Sequence, residues 1–326
     1  MTHHWPSRVL VPLTLALLAT TISCKGRHEP SPIQVDAGTV TAEATPTEPV
    51  DADPALPPER PYPRKHYYLD LAGREDFRNR YSAAVQVTTS EPMLAGIYGW
   101  CSSVLLAPQW VLTAGHCVCV RKPVTTPGQQ GKVVIDGTSC ASHPKITVSL
   151  WDASQGNDFL PSCSWTQTYP GTEVRPHPDF QILLDKEGRV ESSRADLALI
   201  LLETPVEREY TPVQLSREEL QPGEPFVLVG GTSTDSLQGN ISGGARRFTR
   251  YKAVGPAAPG SERILFEQPQ RELFKGDSGG PCLRERAHGL LLVGISARGL
   301  GLEPTFTRIP PYRDWLRSTV RSPKPP

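Results

Sequence analysis

Ser278 sits in the string Gly276-Asp277-Ser278-Gly279-Gly280-Pro281, a setting that suits a serine to attack a carbonyl. The glycines carry no Cβ to block approach, and they let backbone N–H groups point into one small space that can hold a developing oxyanion. A serine hydroxyl is a poor nucleophile at neutral pH. It needs a base within hydrogen-bond reach, and the base needs an orienting carboxylate. Thr113-Ala114-Gly115-His116-Cys117 supplies an imidazole, and Ala195-Asp196-Leu197-Ala198-Leu199-Ile200 supplies a carboxylate before an apolar strand. Asp179 and Asp185 are rival orienters, but they lie in polar stretches that read as exposed loop. His143 and His177 read as structural. The expected roles are therefore Ser278 as nucleophile, His116 as general base and then acid, and Asp196 as the group that holds the imidazole tautomer.

Elements able to carry these residues are short and β-like. Strands are expected at Ala83–Val87, Ser103–Leu106, Trp110–Thr113, Val133–Ile135, Ile146–Leu150, Leu197–Leu202, Phe226–Val229, Ile264–Phe266 and Leu290–Ile295. Turn residues separate them, as in Ala107-Pro108-Gln109. Many short strands at this spacing define an all-β barrel or sandwich. The end differs: Pro311, Tyr312, Trp315, Leu316 and Val320 recur at three- and four-residue steps, which predicts a helix over about 311–320.

The order His, Asp, Ser and the flanks of all three resemble the chymotrypsin-like (trypsin-like) serine peptidase family. Trp110 to Cys117 is similar to the family's strand-to-histidine segment, with Gly115 in place of a common alanine. Pro176-His177-Pro178 and Val229-Gly230-Gly231-Thr232 also look like the family, whereas Ser102-Ser103 stands where two glycines are usual. The resemblance runs from about Tyr81 to Val320. It implies two six-stranded antiparallel β-barrels, about 81–205 and 212–309, closed by a C-terminal helix. It implies an oxyanion hole from the N–H groups of Gly276 and Ser278, with Asp277 positioning that loop. It also implies a disulfide between Cys101 and Cys117 that clamps the histidine hairpin. No metal or organic cofactor is implied.

Seven cysteines are present. Setting Cys24 aside leaves six, an even number that argues for disulfides in an exported chain. Cys119, Cys140, Cys163 and Cys282 permit three pairings, of which Cys119 with Cys140 and Cys163 with Cys282 is the expectation. A zinc site near residues 116–119, or one using Cys119, Cys140, Cys163 and His143, is the rival use of these ligands. Cys117-Val118-Cys119 lacks the usual zinc-ligand separation. Phe274 occupies a position where many relatives have cysteine, so the familiar disulfide beside the substrate pocket is absent.

In relatives the residue six before the serine lies at the base of the primary specificity pocket, and here it is Glu272. A carboxylate there would favour substrates with Arg or Lys through a desolvated ion pair. The rival reading is a surface glutamate paired with Lys275 or Arg271. Arg298 replaces a family tryptophan on the pocket wall and would oppose a cation or neutralise Glu272. Relatives are often activated by a cut that frees Ile-Val-Gly-Gly. No such string lies between Tyr62 and Tyr81, and Arg74-Glu75 and Arg80-Tyr81 are the candidate cut sites.

At 326 residues the length allows one or two domains, and the resemblance implies one peptidase domain, 66–326, behind a leader and a tether. Arg8 and the apolar run Val9 to Ile22 read as a signal peptide spanning 1–23, too short for a typical membrane span. Thr21-Ile22-Ser23-Cys24 is similar to a bacterial lipobox, with Cys24 as the lipidated residue, although the usual leucine three before the cysteine is missing. Plain signal cleavage nearby is the alternative. Residues 24–65 are rich in Pro, Ala and Thr without apolar periodicity, the composition of a disordered tether. Thirty-four basic residues balance 34 acidic ones, which gives no support for nucleic acid or an acidic membrane surface as partner. The expectation is an exported, lipid-anchored, monomeric serine endopeptidase acting on protein or peptide. Its rival is a non-catalytic binding or adhesion protein on the same scaffold.

Overall fold

The computed structural model describes residues 74–76, 78–93, 97–151, 164–235, 240–267, 277–297 and 303–321. Cys24, Cys163, Glu272, Gly276 and Arg298 lie outside the described residues, as do the segments read as leader and tether. In chain order the strands are β1 (Arg74–Glu75), β2 (Ala84–Met93), β3 (Ile97–Ala107), β4 (Trp110–Thr113), β5 (Cys119–Pro123), β6 (Val133–Cys140), β7 (Lys145–Trp151), β8 (Ser164–Pro176), β9 (Gln181–Leu184) and β10 (Val190–Arg194). They continue as β11 (Ala198–Leu202), β12 (Val213–Leu215), β13 (Pro225–Asp235), β14 (Asn240–Pro256), β15 (Arg263–Phe266), β16 (Pro281–Arg286), β17 (Gly289–Ser296) and β18 (Thr305–Arg308). A 3-10 turn at Pro310–Tyr312 leads into the helix α1 (Arg313–Arg321). The helix thus begins two residues later than its apolar spacing predicts, because Pro310 and Pro311 occupy the tighter turn before it.

Two closed antiparallel barrels result. The first runs β11-β4-β3-β2-β7-β8 and closes through the β8–β11 pairing. The second closes as β13-β14-β15-β18-β17-β16, with β16 pairing back to β13. Strands buried along their whole length are near-continuous apolar runs, as in β11 (Ala-Leu-Ile-Leu-Leu) and β4 (Trp-Val-Leu-Thr). A separate four-stranded sheet, β10-β9-β6-β5, packs beside the first barrel, and Val133–Ile135 belongs to it. One apolar cluster fills the first barrel and continues into Val227, Val229, Leu283, Leu292 and Ile295 of the second. An aromatic group, Phe226, Tyr251, Phe266 and Phe306, fills the second barrel, with Phe226 edge-on to Phe266 and Phe306 at 5.5 and 5.2 Å.

Disulfides join Cys101 to Cys117 and Cys119 to Cys140. The first ties β3 to the turn that carries His116, and the second ties β5 to β6. Cys282 is fully buried at the start of β16.

Candidate active site

His116 lies on a single 3-10 turn, Gly115–Cys117, between β4 and β5. Its backbone N–H donates to Asp196 Oδ1 at 2.9 Å, and its Nδ1 meets Asp196 Oδ2 at 2.7 Å. One carboxylate therefore fixes both the turn and the ring. With the carboxylate facing Nδ1, the proton belongs on Nδ1, and Nε2 is the nitrogen left to accept another. Both side chains are buried, at 5% and 0% exposure. The aromatic ring of Phe180 stands 2.6 Å from where a Cβ at residue 115 would be. That contact explains why this position is Gly115 here.

Asp196 is presented by a strained bend. Ala195 has a φ of 48°, a left-handed conformation that costs a residue with a Cβ about 1–2 kcal/mol. Leu197 N–H donates to Ala195 O at 2.6 Å, closing a three-residue turn around the aspartate. The Ala195 N–H is held from the far end of the chain, by Glu262 Oε2 at 3.0 Å and Tyr312 Oη at 3.1 Å. Tyr312 in turn donates to Glu262. Burial, and then the bond and negative charge of Glu262, push the Tyr312 phenol well above its ordinary pKa. The Arg263 guanidinium is also buried; desolvation pulls its pKa down, and the charges of Glu303 and Asp196 oppose that fall.

Ser278 is 3% exposed and sits just before β16. Its carbonyl accepts from Ser102 N–H at 2.8 Å, and the next residue, Gly279, donates to Ser296 O at 2.7 Å. Gly279 has a φ of 80°, and a Cβ there would fall 2.2 Å from both Ser102 O and Thr113 Oγ1. The serine loop is thus pressed against β3 and against Thr113-Ala114, the residues that lead directly into the His116 turn. Ser102 and Ser103, which replace the two glycines of the resemblance, have work for their hydroxyls. Ser102 Oγ accepts from Gly231 N–H at 3.0 Å, and Ser103 Oγ donates to Val85 O at 3.3 Å.

The rival carboxylates are spent elsewhere. Asp179 pairs with Arg194 at 3.4 Å, and Asp185 accepts from Arg189 in a surface loop. His177 packs edge-on against Tyr312 and Trp315, and exposed His143 meets Ser142 Oγ at 2.8 Å. Cys101, His116 and Cys117 form the cluster with metal-ligand spacing among the described residues, but its two sulfurs are bonded to each other at 2.05 Å and offer no thiolate. Of the candidate cut sites, Arg74-Glu75 is paired with β14 as β1. Tyr81 of the second is fully buried, with its amide bonded to Asp76 Oδ2.

Sequence reasoning missed Glu262 and the reach of the Tyr312 hydroxyl. Tyr312 was legible only as a core position of the last helix, and nothing in its spacing points 117 residues back to Ala195.

These barrels, with a histidine, a buried aspartate and a glycine-flanked serine at the place where they meet, define a chymotrypsin-type two-barrel protein. The Trypsin family model matches residues 72–160 and 165–316, and the chain belongs to that family. Kallikrein-11 of Homo sapiens is 24% identical over 235 residues, covering 68% of this chain and 72% of the relative. Kallikrein-8 of Homo sapiens is 26% identical, covering 68% and 77%. Cathepsin G of Homo sapiens is 32% identical over a shorter stretch, 39% of this chain and 54% of the relative. A solved structure described as "Structure of GrC" superposes with a TM-score of 0.52 at 17% identity, covering 77% of this chain and 99% of its own.

Proposed function

We propose that this protein is a serine endopeptidase in which Ser278, His116 and Asp196 act as one unit. The observation that carries the reading is the double grip of Asp196 on His116, through the backbone N–H and through Nδ1. It engages Nδ1 and leaves Nε2 to serve as the base, and the Ser278 loop packs on Thr113-Ala114 just before the His116 turn. In this mechanism Nε2 takes the Ser278 proton as Oγ attacks the substrate carbonyl. The tetrahedral oxyanion is held by the N–H groups of Gly276 and Ser278, and the histidine then protonates the departing amine. Water repeats the sequence on the acyl-enzyme. Labelling the purified protein with a fluorophosphonate tests this. Wild type should label and Ser278→Ala should not, while turnover of the variant falls by roughly 10⁴–10⁶-fold with the fold intact. A folded wild type that refuses the label favours a binding role on the same scaffold, or an unprocessed zymogen, and N-terminal analysis of the exported protein separates the two.

Glu272 and Arg298 are assigned to the substrate pocket, with Glu272 favouring cleavage after Arg or Lys. A panel of peptides varied at the residue before the cut tests it, and equal or better cleavage after apolar residues rejects it. Residues 1–23 are assigned as an export signal, Cys24 as a lipidated amino terminus and 24–65 as a tether to a membrane. This rests on the sequence of that segment alone. No described helix is long and apolar enough to cross a membrane. Intact mass of the exported protein decides the matter: a mature chain without a diacylglyceryl increment at Cys24 removes the anchor. Cys163 is assigned as the partner of Cys282, and the protein is assigned as a monomer; peptide mapping under non-reducing conditions and light scattering test these two.

A further inference from the structure

We propose that the molecule carries an anion-binding pocket, separate from Ser278, that takes a compact phosphate- or sulfate-bearing group. A cavity of about 560 Å³ lies between β12, the ends of β16 and β17, and α1. Its wall includes Arg217, Arg284, Arg286, Arg313 and Arg317, with Glu218 as the sole carboxylate among the lining residues. Behind it, Glu224 grips Arg284 with two bonds of 2.6 and 2.8 Å and reaches Arg286 at 3.7 Å. Five guanidinium groups against these two carboxylates leave three positive charges unbalanced. Glu218 is 82% exposed and touches Arg284 only at 3.8 Å, so it is a weak counter-charge.

The imbalance is local. The whole chain has zero formal net charge, so chance placement on a basic surface does not account for it. Among the described residues Arg217, Arg313 and Arg317 make no ion pair. Arg313 and Arg317 are four apart on α1 and present like charges on one face, a mildly unfavourable arrangement that an anion between them would relieve. Arg313 Nε is buried without a hydrogen-bond acceptor. Buried donors in native structures nearly always have a partner, and an anion in the cavity would provide one.

The shape chooses the ligand. The volume falls within the range of small-molecule sites, and guanidinium forks match the tetrahedral oxygens of phosphate and sulfate. No aromatic side chain lines the wall, so nothing is present on which a base would stack. β16 runs from Pro281, beside the serine loop, to Arg286 at the cavity. The two ends lie about 17 Å apart at ~3.4 Å per residue. The pocket is therefore distinct from the serine site, although one strand joins them.

Titration calorimetry at about 150 mM salt, where long-range surface attraction is screened, tests the proposal. The probes are inorganic pyrophosphate, inorganic sulfate and vesicles containing phosphatidylglycerol. Wild type should bind at least one of them saturably, and the R313Q/R317Q double variant at least about 10-fold more weakly. The charge-matched control R78Q/K186Q, on exposed loops, should bind as wild type does. Capture by vesicles alone identifies a lipid headgroup as the source of the anion, and uptake of the soluble anions alone identifies a free group. Failure of all three probes, or equal binding by wild type and R313Q/R317Q, overturns the proposal. If the double variant does not fold, R217Q, at an exposed position, carries the same test.

Discussion

Asp196 contributes position as much as charge. Its two oxygens have separate duties, one on the His116 amide and one on the ring. Replacing it with asparagine keeps the shape and can keep the amide bond, but it presents the ring with a donor or a neutral acceptor. The proton then no longer belongs on Nδ1. Asp196→Asn should lower kcat about 10⁴-fold at neutral pH with little change in melting temperature. Loss of fold, or a loss below tenfold, would remove the tautomer argument. Ser278, His116 and Asp196 were legible in the sequence as candidates because each sits in a short string whose composition matches its proposed task. Ala195, Glu262 and Tyr312 were not, because an αL alanine and a bond spanning 117 residues leave no trace in local composition.

Among the elements, the strands read correctly are those bounded by turn residues and made of apolar runs, such as Trp110–Thr113 and Ala198–Leu202. Among those that were not read, β9 (Gln-Ile-Leu-Leu) and β12 (Val-Gln-Leu) are too short to show a period, and β8 and β14 cross glycine or proline without ending. β8 contains Pro170-Gly171, and the register against β11 shifts there between Leu201 and Leu202. β14 contains Gly255 and shifts its pairing with β15 at that residue. A sequence rule takes such residues as turns, whereas here they are bulges within long curved strands. Connections between elements also hide in single side chains. Arg246 of β14 donates to Asp76 Oδ2 at 2.8 Å, Ser149 O at 2.7 Å and Asn79 Oδ1 at 2.8 Å. Asp76 also accepts from the amides of Arg80 and Tyr81. Both members of the ion pair are buried. Asp76→Ala strands a guanidinium and two amides, and denaturant unfolding should show a loss of about 3–5 kcal/mol. A loss under about 1 kcal/mol would show that water replaces the carboxylate.

At the scale of the whole molecule, Glu285 ties three parts of the chain together. It accepts from Tyr81 Oη at 2.8 Å and pairs with Arg80 at 2.7 Å and with Arg250 of β14 at 2.9 Å. Burial alone would push its carboxyl up, but the bonds from Tyr81 and Arg250 and the two cationic charges outweigh burial and hold it below the ordinary carboxylate range. Glu224 behaves alike, because bonds from Arg284 and Gln221 outweigh its burial. A carboxyl depressed by folding adds stability above its unfolded pKa, and that stability is lost as pH falls through the folded value. Unfolding free energy should therefore decline on the acid side, from about pH 5 downward. Glu285→Gln should be less stable at neutral pH and should show a flatter acid limb. A parallel decline in wild type and variant would place the acid sensitivity elsewhere.

The two sulfur bridges bear on how the protein has to be made. Both staple short hairpins, and one of those hairpins bears the imidazole. Heterologous expression in a reducing bacterial cytoplasm leaves these staples open. Preparations from that route hold His116 on a turn secured by hydrogen bonds alone, so the labelling and turnover tests belong on protein with both bridges closed. Periplasmic secretion or refolding in a glutathione redox buffer delivers the stapled form.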